Sequence, residues 1–532
     1  MTTALLLALL GAAVPQAAPQ TPLPPTTTPP TSAQAAGSRV GVDAPALPVT
    51  LDDVIRRALE NNADVAIARI ETRIAAENIL AAKGAYDPRL LPLVSFQRAV
   101  NASASALGGA VDGRVETNQS VISAQVVGLT PWAGGRFSVD FTETRNSTSN
   151  QFAKLNPQFP ATFGFSYTQP LWRDRSIDAE RRAILLSQRA DDLTHAQLTQ
   201  SLMDQLMLVE QAYWELVFAV RNLDVQNVAL GQAREQVASN ERQASAGTLA
   251  PIDVIEAATQ VENFRQTVAL SQQALTEAEN RLKQLMLTNR AAPEWKQPVV
   301  PVNPVDRDTP PLSVDEAVAL ALKRRPELTA SDTARAQNDI DRRFYDDQTR
   351  PQVDLVGGAT LAGLSGGRVT STDATIPSFL IGTYGTSLGN LFASRFPTAV
   401  IQIQMDVPLR NTGARANVAR TELTAARLVR EREQLEQAIE AEVRNALQAV
   451  QSTRDRLDAA ASASRNALEQ YNSERRRFDS GLGTVFLVLQ RQSALVAAQA
   501  REARARADLN QAVALLDRAV GGTLERYGVS VR

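Results

Sequence analysis

The residue types that carry most protein chemistry are nearly missing from this chain. It has no cysteine and a single histidine, His195. Disulfides, thiol chemistry and a lipid-modified N-terminal cysteine are excluded. A histidine-based metal site or catalytic triad cannot be built in the usual way. There is no phosphate-binding loop, no nucleophile–histidine pair and no metal-ligand cluster, so the reading is a protein without cofactor, metal or catalysis. What remains is charge at one place. Asp253 and Glu256 stand three apart, just after a turn sequence Gly247-Thr248-Leu249-Ala250-Pro251, and share one helix face. Such a pair also suits the first turn of a solvated helix. The net charge of −2 points to no nucleic-acid partner.

The elements that position this pair occur twice. Leu51-Asp52-Asp53-Val54-Ile55-Arg56-Arg57-Ala58-Leu59 returns as Val314-Asp315-Glu316-Ala317-Val318-Ala319-Leu320-Ala321-Leu322, and the register holds out to Pro88 and Pro351. Further on, Ala246 to Glu256 returns as Ser480 to Gln490, with Gly481-Leu482-Gly483 at the second turn. In that copy Leu487 and Gln490 replace Asp253 and Glu256. Self-similarity at this scale means one architectural unit repeated. The expected plan is repeat 1 over 49–290, a proline-rich linker over 291–311, and repeat 2 over 312–525. Each repeat reads helix, strands (about 90–169 and 353–407), long helix, return helix.

The long helices are expected from about Ser176 to Ser245 and from about Ala414 to Asp479, neither containing proline. At 1.5 Å per residue each extends roughly 100 Å. Leu206, Val209, Tyr213, Leu216, Val220 and Leu223 repeat three and four apart; Leu428, Leu435, Ile439, Val443, Leu447 and Val450 do much the same, with a first step of seven. These are coiled-coil stripes. Return helices are expected over 251–288 and 484–520, and Gly521-Gly522 ends the last.

Between the first helix and the long helix the period changes to two. Val94 and Phe96, then Ile122, Ala124 and Val126, then Phe137, Val139 and Phe141, then Phe163, Phe165 and Tyr167 alternate with small polar residues. Ile401, Ile403 and Met405 do the same in the second half. An apolar, aromatic face opposite a polar face is what a transmembrane barrel strand requires. The interval Pro88–Pro170 is longer than Pro351–Pro408 by enough for one more hairpin, turning at Thr130-Pro131-Trp132-Ala133-Gly134-Gly135. Two to four strands per repeat fall short of a closed barrel in a single chain, since about eight are needed and open edges are not tolerated in lipid. Oligomerisation follows. At the N-terminus, Ala4 to Val14 reads as a signal-peptide core within residues 1–18, without a positive n-region, and 19–48 as a Pro/Thr/Ala-rich leader.

With these features in order, the sequence resembles the TolC-like outer-membrane efflux proteins. The resemblance rests on Leu51-Asp52-Asp53…Ala58-Leu59…Asn61-Asn62 and its copy, Gln169-Pro170-Leu171, Ala212-Tyr213-Trp214 and Gly247…Asp253-Val254…Ala257, and covers roughly 49–525. It implies an α+β fold: long antiparallel helical coiled coils forming an α-barrel, plus a transmembrane β-barrel shared by a homotrimer. It implies a passive exit duct in the outer membrane extending into the periplasm, in contact with outer-membrane lipid and working with a periplasmic adaptor protein and an inner-membrane pump. By the same resemblance, Gly247, Thr248, Leu249, Gly481, Leu482 and Gly483 would face the adaptor. Asp253, Glu256, Leu487 and Gln490 would line the channel entrance, where a carboxylate ring favours cations. The competing reading is a periplasmic coiled-coil scaffold without a pore, which accounts for the helices but not for the paired aromatic strands.

Overall fold

The computed structural model describes residues 40–42, 44–103, 108–110, 112–302, 304, 306, 312–369 and 375–530. The expected signal peptide and most of the leader lie outside them. In chain order the elements are β1 (Leu47–Val49), α1 (Leu51–Asn61), α2 (Ala63–Lys83), β2 (Arg89–Ala102), β3 (Arg114–Leu129), β4 (Arg136–Thr148), β5 (Leu155–Pro170), α3 (Ala179–Ser245), α4 (Pro251–Met286) and β6 (Val299–Pro301). Then follow α5 (Val314–Arg324), α6 (Pro326–Asp347), β7 (Gln352–Arg368), α7 (Tyr384–Phe392), β8 (Phe396–Asp406), α8 (Thr412–Asp479), α9 (Val485–Val520) and α10 (Thr523–Arg526).

The duplication is visible at the level of single caps. Thr50 and Asp53 form a capping box at the start of α1, and Ser313 and Glu316 form the equivalent one at α5. The helical stretch expected over 50–83 is two helices. Asn62 breaks it, because its Oδ1 accepts from the backbone of Asp64 and Val65 to start α2 while its Nδ2 donates to the Leu285 carbonyl. In the second copy Arg325-Pro326 makes the same break, with Pro326 at the first helical position of α6.

All six long strands join one antiparallel sheet in the order β2-β3-β4-β5-β7-β8. The hairpin of β3 and β4 adds its strands to this sheet, and repeat 1 gives four strands where repeat 2 gives two. Register gathers the aromatic residues and much of the apolar side of the strands on one face, though Leu93, Val121, Val127 and Val356 fall on the other. Val94 lies opposite Ile122, Val126 opposite Val139, Phe141 opposite Phe163, Phe165 opposite Ala359, and Leu355 opposite Ile403. The other face carries Ser95, Ser123, Asp140, Thr142, Ser166, Thr360, Gln402 and Gln404. Phe96, Ile401 and Ile403 are each more than half exposed. β2 and β8 are open edges within the chain. The short helix α7 lies on the apolar face over β7, where Gly363 leaves no room for a Cβ against the Ser387 carbonyl. Among the described residues no helix is long and apolar enough to cross a membrane.

The helices α3 and α8, of 67 and 68 residues, run on from the ends of β5 and β8. Their coiled-coil stripes are buried as expected, with Tyr213 and Trp214 each 1% exposed at the centre of the larger core. That core also takes in Val49 and Val299 from the parallel pair β1–β6. The end of the leader and the linker between repeats are thus strapped together and packed on α3, α1 and α4. His195 is half exposed, 3.9 Å from Asp191, and belongs to no site.

A charge network ties the two repeats. Arg518 on α9 reaches Asp204 on α3 at 2.7 Å, Glu442 on α8 at 3.0 Å and Glu327 on α6 at 3.0 Å. The buried Arg325 completes it, at 2.7 Å from Glu327 and 2.8 Å from Glu442. For Glu327 burial acts to raise the pKa, but hydrogen bonds from Arg325 and the charges of Arg325 and Arg518 outweigh it and hold the carboxyl below its ordinary value. A depressed folded-state pKa means stability present above the unfolded value and lost as pH falls through the carboxylate range, below about 4.3. Arg518→Met is expected to cost about 2 kcal/mol, less than for a fully buried pair because Asp204 and Glu442 are about a third exposed. Thermal melts of wild type and variant over that pH range should show a smaller acid loss in the variant; parallel curves would contradict the network's role.

Candidate channel mouth

Each long helix stops on a glycine because its last carbonyls need donors that only a left-handed residue can deliver. At the first turn Gly247 has φ +72, Gly247 N donates to the Ala244 carbonyl at 3.0 Å and Thr248 N to Gln243 at 2.9 Å. At the second, Gly481 has φ +72, Gly481 N donates to Phe478 at 2.9 Å and Leu482 N to Arg477 at 2.9 Å. The two turns are the same Schellman motif, atom for atom. Ala250 then leads into α4 with Pro251 at N1, and Thr484 caps α9 by accepting from the Leu487 backbone at 3.4 Å.

The two turns sit side by side. Ala257 of α4, Val485 and Leu489 of α9 form a small core, against which Leu249, Val237 and Phe478 pack. Asn240 is fully buried beneath the first turn, accepting from Gln236 at 2.8 Å and donating to the Asp253 carbonyl at 3.4 Å. This fixes where α4 begins and so where its carboxylates stand. Asp253 and Glu256 are partly exposed, and neither pairs with a cation among the described residues. The equivalent positions place Leu487 partly buried and Gln490 exposed. Arg475, Arg476 and Arg477 are exposed, with Arg477 3.7 Å from Glu474.

Sequence reasoning missed an apolar set at the same end. Ile252, Ile255, Leu482 and Phe486 are all more than half exposed and flank the two turns. Their signal was present: Ile252 and Ile255 are three apart, on a different stripe from the buried Ala257. It also missed a cavity of about 350 Å³ between α3 and α8 just above the turns, with Glu235 and Arg242 on one wall and Tyr471 and Arg475 on the other.

The comparisons agree with this geometry. Residues 317–522 match the family described as outer membrane efflux protein. The fold is similar to that of the Campylobacter jejuni CmeC outer membrane channel, with a TM-score of 0.64 at 16% identity over 95% of this chain and 94% of that one. CusC, solved in a study of transmembrane channel formation, gives 0.63 at 17% identity over 90% and 95%. The outer-membrane channel OprN gives 0.62 at 17% over 89% and 90%. No curated protein matches the chain.

Both turn glycines have open space where a Cβ would stand, so only backbone strain opposes substitution. Gly481→Val is expected to destabilise the turn by about 1–2 kcal/mol. Hydrogen exchange at Leu482 and Thr484 should speed up accordingly; unchanged protection would show that the left-handed residue is not needed.

Proposed function

We propose that this chain is an outer-membrane efflux protein, the exit duct of a tripartite efflux or type I secretion assembly, acting as a homotrimer. The observation that carries the reading is the continuity of one apolar-faced, open-edged sheet into two helices of 67 and 68 residues. A membrane sheet cannot leave its edges unpaired. Three copies of a six-stranded sheet make a barrel of eighteen strands, a size that leaves a water-filled lumen. The polar face, with Ser, Thr and Gln, lines that lumen. The helices below carry the same conduit through the periplasm, and cargo passes without chemistry.

The glycine turns are the end that meets a periplasmic adaptor, itself linked to an inner-membrane pump. Leu482, Ile252, Ile255 and Phe486 give that end the exposed apolar anchors that protein contacts favour. Asp253 and Glu256 supply three copies of a carboxylate pair around the entrance. The second repeat, with Leu487 and Gln490, adds none, so charge selection rests on the first repeat.

In planar bilayers the wild-type channel should prefer cations, and Asp253→Ala/Glu256→Ala should reduce the preference severalfold, as expected when a charged ring is removed from a narrow pore. Reversal potentials in a salt gradient measure this. An unchanged reversal potential would remove these residues from the entrance while leaving the duct intact; a variant that forms no conducting species at all, like wild type, would sink the duct.

A further inference from the structure

A cavity of about 770 Å³ lies where the strands give way to helices. Its floor is the start of α3, through Ile177, Ile184 and Leu185, and Pro131 of the β3–β4 turn closes the top. One wall is the end of α2 with Lys83 and Tyr86, and the other is the end of α6 with Arg343 and Arg350. An apolar floor under a cationic rim is the profile of a site for an anionic amphiphile.

The rim charges divide clearly. Arg350 lies 3.2 Å from Asp347. Arg181 is held by Asp178 and by the carbonyls of Asp174, Arg175 and Ser176. Among the described residues Lys83 and Arg343 pair with no carboxylate; Arg343 gives its Nε, at 3.3 Å, to the Asp339 carbonyl. Asp346 is the one rim carboxylate outside an ion pair. The Tyr86 hydroxyl is buried and has no hydrogen-bond partner. Burial, then the nearby Asp178 carboxylate, raises its pKa, so it stays a donor. A buried unsatisfied hydroxyl costs free energy until something accepts from it.

The β3–β4 turn that lines the cavity with Pro131 is tied to the end of the apolar row of β5. The turn containing Pro131 is fastened by Gln169, whose Nε2 donates to the Ala133 carbonyl at 2.6 Å. Gln169 continues the apolar row Phe163, Phe165, Tyr167 of β5 and lies opposite Leu355. Trp132 and Trp172, both more than half exposed, mark the same level, where indole rings favour a bilayer interface.

We propose that this cavity binds one glycerophospholipid from the periplasmic leaflet of the outer membrane. Its phosphate is held by Lys83, Arg343 and the Tyr86 hydroxyl, and the first part of an acyl chain lies on Ile177, Ile184 and Leu185. The proposal rests on the membrane placement of the sheet. The occupant follows from the unpaired cations, the unpartnered donor and the tie between the β3–β4 turn and the apolar row of β5. A bound lipid would lock the junction of sheet and helices at a fixed height in the membrane.

The test is native mass spectrometry of the full chain extracted from outer membranes in mild detergent, with phospholipid counted per oligomer. Wild type should retain a phospholipid per chain. Lys83→Glu/Arg343→Glu should retain it roughly tenfold more weakly, the scale of a lost charge-assisted contact. Tyr86→Phe should be weaker by severalfold, and its small change keeps the proposal testable where the double variant does not fold. Excess inorganic phosphate should leave the lipid in place, because the acyl contacts remain. Equal retention in wild type and Tyr86→Phe, release of the lipid by phosphate, or a neighbouring chain protecting the site in place of lipid would each overturn the proposal. An intact oligomer without lipid refutes only this site, whereas absence from the outer membrane refutes the placement beneath it.

Discussion

The structure depends on one constraint: backbone hydrogen bonds must be complete wherever water is absent. A six-stranded antiparallel sheet satisfies its interior strands but leaves β2 and β8 each with an unpaired row of donors and acceptors. On a soluble protein such edges are hazards. In hydrocarbon each unmet group costs several kcal/mol, and the apolar face spread over all six strands supports the proposed membrane placement of this sheet. Closure between chains resolves both problems together, because the edge of one copy completes the edge of the next. In the proposed threefold arrangement, helices that leave the sheet as a ring must pack side by side, and their stripes must be buried on both flanks.

The lower half answers a different demand. Helices near 100 Å long have little to fix their ends in register, and the structure meets this in two places. Midway, the strap of β1 and β6 packs on Tyr213 and Trp214. At the same level Arg518 and Arg325 gather Asp204, Glu327 and Glu442 from three further helices into one network. At the tips, twin Schellman turns share a core of Ala257, Val485 and Leu489. A motion that opens the mouth has to loosen this small core while the network above holds, which makes the tip the compliant end and the strap the fulcrum.

Much of this was legible in the sequence because the signals are local and occur twice. Glycine at the end of a long apolar stripe marks both turns, and the ends of α3, α4, α8 and α9 fall within a few residues of where the stripes stop. The alternation of apolar with small polar residues showed β2 to β5 and β8, and the longer first interval showed the added hairpin; β7, with five glycines and no aromatic residue, carried the weakest signal. What escaped was non-local or short. The break at Asn62 lies inside a continuous helical periodicity and is decided by a bond to Leu285, more than two hundred positions away. The pairing of β1 with β6 joins three-residue strands that carry no period of their own. The helix α7 has no long stripe, and it folds back onto Gly363 of the preceding strand, a close approach that no period in the sequence announces. At the mouth, Asp253 and Glu256 were visible as a spaced pair, but the exposed Ile252, Ile255 and Phe486 were not, since an apolar residue in a helix is read as core until a structure leaves it uncovered.

The central claim is that the open edges of this sheet close on other copies of the same chain. The chain has no cysteine, so introduced pairs report without background. One cysteine at Ala99 on β2 is combined in turn with one at each lumen-facing position of β8, such as Thr398 or Gln402. The protein is oxidised in outer membranes and run without reductant. Facing pairs at disulfide distance should give covalent dimers and a trimer that goes no higher. A cross-link formed within a single chain, or none at any position of β8, would contradict a shared barrel.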